Sequence, residues 1–239
     1  MGCEPHRLLS MGRRGTTMPA RAGGKFLSYT LLASTVLSLA ARIAIPVIVL
    51  NGVSGVAFAQ DATWIGPTPD WNISANWNPM TIPGPNGTAT FGGALPTSIS
   101  MAGGVAVGTL QFNAPNYTFD VLDGLTINGN GVNASLANAP TFNVIGTPGH
   151  STPAINFNGT SSAGTAQIFL GQTIDTNNGF NAGFINFFGN STADQATITV
   201  RDQSATNFFN SSTAGHATFI VDNGGFIGFQ DTSNGDQAN

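Results

Sequence analysis

The chain has 239 residues, a formal net charge of −4 and only 8% charged residues, where soluble domains carry about a quarter. Beyond Gln60 there is one basic residue, Arg201, against ten aspartates, with no lysine and no glutamate. That acidic balance excludes nucleic acid as a partner, because phosphate binding needs clustered Lys and Arg. The 31 glycines and abundant asparagine exclude a helical bundle, since both are poor helix formers.

The basic residues define a leader. Arg7, Arg13, Arg14, Arg21, Lys25 and Arg42 all precede Gln60. A mostly apolar run from Phe26 to Leu50 leads into "GVAFAQDA", with Ala57 and Ala59 at the −3 and −1 positions of a small-residue cleavage site. Residues 1–59 therefore read as an extended signal peptide cleaved between Ala59 and Gln60, with Met11 and Met18 as alternative starts. The competing reading is a membrane-spanning helix, for which about 20 apolar residues suffice. Arg42 and Pro46 interrupt the run. Cys3 is the only cysteine, so the mature chain is expected to fold without disulfides or a lipid anchor.

Residues 60–95 hold all three tryptophans, Trp64, Trp71 and Trp77, among Pro, Gly and Asn that bar a regular helix. They are expected to close the first turn of a β-stack as an N-terminal cap. The alternative is a platform on which sugars stack.

From residue 96 onward short strands are expected: "VGTLQF" (Val107 to Phe112), "YTFDVL" (Tyr117 to Leu122), "LTIN" (Leu125 to Asn128) and "TFNVI" (Thr141 to Ile145). Asp123-Gly124, Asn128-Gly129 and Asn130-Gly131 read as the turns between them. After Gly183 a period of about 21 residues emerges, within the range of solenoid repeats. Phe187, Phe208 and Phe229 recur in step, as do Ala196, Ala217 and Ala238, and Val200 and Val221. "INFNGTSSAGTAQIFL", Ile155 to Leu170, is an earlier copy. It falls into register if about nine residues are inserted within "GQTIDTNNGFNAG".

One such coil cannot bury its own apolar face. Stacked at about 4.8 Å, each coil hydrogen-bonds to its neighbours, and equivalent residues lie over one another. Phe187, Phe208 and Phe229 are then an interior aromatic stack. Ala196, Ala217 and Ala238 are small corner positions, and Asn190, aligned with Ser211, lies in a turn. Residues 96–239 are expected to form an all-β parallel β-helix, or β-solenoid.

The order of "W…DWN…NW…P…TATFGG" (Trp64 to Gly93), "VGTLQFNAPNYTFDVLDGLTINGNG" (Val107 to Gly131) and "STAGHAT" (Ser212 to Thr218) resembles the passenger of bacterial autotransporters built from autotransporter-associated β-strand repeats. The resemblance implies a right-handed parallel β-helix exported by type V secretion to the cell surface of a Gram-negative bacterium. It also implies an adhesin-like or scaffold role toward host or matrix glycans or proteins. Such proteins end in an outer-membrane β-barrel, whose alternating strands of about ten residues do not occur here. The chain is accordingly expected to be an N-terminal fragment, or periplasmic if it stops where it does.

Enzymatic chemistry finds little material, and no cofactor or metal is expected. A β-helical carbohydrate-active enzyme remains the rival class, and a self-associating matrix or surface-layer protein a third. A hydrolase needs two carboxylates at a set separation; Asp194 and Asp202 are candidates, each beside a turn. A lyase base could come only from Arg201. His150 and His216 do not make a zinc site; His216 occupies a variable repeat position and is expected to face solvent. "DTSNGD" (Asp231 to Asp236) lacks the ligand spacing of a calcium loop. The seven Asn-x-Ser/Thr sites, at Asn72, Asn86, Asn116, Asn133, Asn158, Asn190 and Asn210, are what a chain rich in these residues contains by chance.

Overall fold

A computed structural model describes residues 60–175 and 179–239, within a compact unit Leu50–Asn239. Ala57 and Ala59 of the cleavage motif lie outside the described residues, and Gln60 is the first of them. The regular structure of the described chain is almost entirely strand, with two 3-10 turns, Ser74–Asn76 and Leu136–Asn138. It is a parallel β-solenoid of about 6 turns with coils of about 22 residues.

Each coil has three faces. The first is built from Ala154–Phe157, Phe184–Phe187, Ala205–Phe208 and Phe226–Phe229, preceded by the leading halves of Val105–Phe112 and Gly124–Asn133. The second starts at Ala62–Trp64, passes to Thr88–Phe91 and the trailing halves of those two long strands, and narrows to single bridges at Ser162, Thr192, Thr213 and Asn234. The third stacks Ser98–Met101, Thr118–Val121, Thr141–Ile145, Gln167–Asp175, Thr197–Val200 and Thr218–Val221.

Side chains alternate in and out along most strands. Ile99, Phe119, Phe142, Ile168 and Ile198 form one fully buried row of the third face. Such a row removes each residue's apolar surface from water at about 25 cal/mol per Å². On the first face the expected aromatic stack is present and starts one coil earlier. Phe157, Phe187, Phe208 and Phe229 lie with ring centroids 4.9, 4.6 and 4.8 Å apart and nearly parallel planes. Ala196 and Ala217 are fully buried at the corner before the third face, and Ala238 packs against the same core.

Left-handed corners explain the composition. Gly159, Gly189, Asn210 and Asp231 occupy one corner with φ of 65, 70, 57 and 59°. Gly164, Asp194, Gly215 and Asp236 occupy another, with φ of 58, 54, 62 and 48°. Asp202–Gln203 and Asn223–Gly224 make a third such corner, with φ of 53, 60, 48 and 81°. Gly, Asn and Asp adopt this conformation most readily, so a stack of such corners consumes these residues. The acceptors also climb the stack: the Gly189 N–H donates to Asn210 Oδ1 (3.0 Å) and the Asn210 N–H to Asp231 Oδ2 (2.8 Å).

One expectation is corrected. Asn128-Gly129 and Asn130-Gly131 are not hairpin turns; they lie inside the parallel strand Gly124–Asn133, where the chain rounds from the first face to the second. Glycine is needed there for clearance: a Cβ on Gly131 (φ 94°) would stand 1.9 Å from the Ser162 carbonyl oxygen. The tryptophans offer no stacking platform. Trp64, Trp71 and Trp77 are at most 1% exposed; Trp64 and Trp71 pack edge-on to Trp77, and all three lie against Phe91. Their N–H groups are occupied in part: Trp64 donates to the Pro96 carbonyl (3.0 Å) and Trp77 to that of Trp71 (2.9 Å).

The nine-residue insertion is a β-hairpin. The first-face strands Ala154–Phe157 and Phe184–Phe187 are 30 residues apart, against 21 for the next pair. Gln167–Asp175 runs on past the third face and returns antiparallel as Gly179–Ala182, and the Gly183 N–H donates to the Gly171 carbonyl (2.9 Å).

Candidate functional site

The third face carries a shallow groove of mixed polar and apolar lining on its outside. Its floor is the outward row Ser100, Asp120, Asn143, Phe169 and Thr199, each contributed by a successive coil and set in register by parallel pairing. Two hollows of about 310 and 330 Å³ lie on it side by side and share Asn143 and Ile145. Leu122 and Thr147 border one end; Gln172, Arg201 and Asp202 border the other.

The polar groups are partly engaged with each other. Asn143 Nδ2 donates to Asp120 Oδ1 (2.9 Å). Asn223 Nδ2 donates to Asp202 Oδ1. Arg201 is half-exposed and stands 3.9 Å from Asp222, a pairing worth little at the surface. Gln172 Oε1 is covered from solvent and has no hydrogen-bond partner. Phe169 is 39% exposed and forms an apolar floor between Asn143 and Thr199.

A second cluster lies at the corner after the third face. Asp123 accepts from the Gly103 N–H (2.6 Å), the Ser151 N–H and hydroxyl (both 2.8 Å), and lies 3.3 Å from His150 Nδ1. The Gly103 amide and then the Ser151 groups hold its carboxyl well below the usual carboxylate range. Ser, His and Asp are the residue types of a hydrolytic triad, but here the hydroxyl donates to the carboxylate instead of the imidazole, so no nucleophile is activated. The cluster clips three successive coils together.

The remaining sequence candidates are spread out. Asp194 sits in a left-handed corner, where it accepts from the Ser162 hydroxyl (2.9 Å). Asp231 and Asp236 occupy separate corners of one coil. His216 is exposed. Among the described residues there is no group of three or more His, Cys, Asp or Glu able to hold a metal, and no helix long and apolar enough to cross a membrane. No protein-family model, no curated protein and no solved structure matches the chain.

The groove was not among the sequence candidates. Its signal was present as the outward positions of the third-face strands, but those coils are separated by 20 to 30 residues. Without the register, Asp120, Asn143 and Phe169 do not fall into line.

Proposed function

We propose that the chain is an exported, non-enzymatic β-solenoid with an adhesin-like or scaffold role, the passenger of an autotransporter-type protein of a Gram-negative bacterium. The observation that carries this reading is the groove. It is a preformed surface of mixed polar and apolar lining, assembled from successive coils of a regular stack, which suits binding by many modest contacts. The leader with Ala57 and Ala59 before Gln60, and the resemblance of the repeats to autotransporter passengers, support export. The distribution of carboxylates supports a binding role. Asp120 and Asp202 are each hydrogen-bonded to an amide on the next coil, and Asp194 and Asp231 serve corners.

The test is expression of the chain with its leader in a Gram-negative host, followed by fractionation, N-terminal sequencing and protease treatment of intact cells. The expected result is a product beginning at Gln60 outside the cytoplasm. A product that keeps residues 1–59 and stays in the cytoplasm would overturn the reading. A carbohydrate-active enzyme is the second reading, favoured by the same groove; release of new reducing ends from a polysaccharide would establish it.

A further inference from the structure

We infer that the groove of the third face is a binding site for an uncharged, extended oligosaccharide lying along the solenoid axis. This rests on the proposed role as an exported binder and names its ligand class.

The reasoning starts from spacing. Asp120, Asn143, Phe169 and Thr199 come from adjacent coils, so they follow one another at about 4.8 Å, a step comparable to one pyranose ring in an extended chain. Each ring thus meets one coil. Their chemistry alternates in the way a sugar does. The carboxylate of Asp120 and the amide of Asn143 exchange hydrogen bonds with ring hydroxyls. The exposed ring of Phe169 offers an apolar surface to the C–H face of a sugar.

Charge selects among glycans. The groove holds Asp120 and Asp202 against Arg201 alone, and the chain beyond Gln60 has ten aspartates and that single arginine. Uronates and sulfated sugars are repelled. The hollows, about 310 and 330 Å³, admit a few sugar rings.

The experiment is isothermal titration of the purified protein with neutral hexasaccharides (cellohexaose, xylohexaose, chitohexaose, mannohexaose) and with hexagalacturonate and a heparin hexasaccharide as anionic probes. At least one neutral hexasaccharide is expected to bind, with little dependence on salt. Phe169→Ala is expected to weaken that binding at least tenfold, with far-UV circular dichroism unchanged. Phe169→Tyr, which keeps the ring, is expected to retain it. No binding of any neutral probe at millimolar concentration would overturn the inference. So would preference for an anionic probe, or binding that survives Phe169→Ala. A protein that is exported but binds no sugar loses this inference and keeps the proposed export; one that binds sugar but is never exported does the reverse.

Discussion

Asp123 reaches the coil before it through Gly103 and the coil after it through Ser151. Because its carboxyl is held below the usual range, the ionised form is the one the fold stabilises. That contribution is complete above the ordinary carboxyl value of 3.8 and drains away as pH falls below it toward the folded-state value. Asp123→Asn is therefore expected to lower the melting temperature at pH 7. The gap to the parent protein should narrow steadily below about pH 4; a gap independent of pH would show that the charge is irrelevant. Thr206 presents the opposite case. It occupies the inward row of Ile155, Ile185 and Ile227, is fully buried, and its hydroxyl has no partner. Thr206→Val keeps the shape and removes the unpaired hydroxyl. It is expected to raise stability by about 1 kcal/mol, measured by urea denaturation.

Among the elements, the hairpin after the third face is an addition to a coil. Its ends meet at Gly171 and Gly183, so the stack above and below it is continuous. Replacing Gln172–Ala182 with the dipeptide Asp-Gln, as found at 202–203 in the 21-residue coils, restores the shorter spacing. The shortened chain is expected to keep its circular dichroism spectrum and to melt within a few degrees of the parent; loss of the β-signal would mean that the hairpin supports the stack. The strands themselves were largely legible. "TFNVI" appears as Thr141–Ile145, and the interval of Phe187, Phe208 and Phe229 set the stacking. The corner at residues 128–131 was not. Asn-Gly reads as a hairpin turn when neighbours in sequence are expected to pair, whereas here each strand pairs with one a whole coil away.

At the scale of the whole molecule the solenoid is nearly one-dimensional, each coil contacting only its neighbours, so damage is expected to stay local. All three tryptophans report on the first coil, while Phe208 lies several coils away, fully buried between Phe187 and Phe229. Phe208→Asp leaves an unpaired charge in the core, a loss of several kcal/mol. The mutant is expected to lose far-UV signal at a lower temperature while its tryptophan emission melts near the parent's midpoint. His216→Asp, at an exposed position, should leave both unchanged. Coincident loss of both signals in Phe208→Asp would show instead that the stack unfolds as one unit.

What the sequence determined alone is the repeat and its consequence. A period of about 21 with in-step Phe and Ala forces a parallel stack, because only stacking buries an apolar face that one coil cannot cover. The acidic, nearly lysine-free composition likewise fixed the sign of the surface. Tertiary structure decided which way each side chain points relative to coils 20 to 30 residues distant. It turned three tryptophans inward, made Asp123 a clasp, and lined up Asp120, Asn143 and Phe169 into a groove. Those outcomes depend on register between coils of unequal length, and the unequal lengths hide that register from any fixed period.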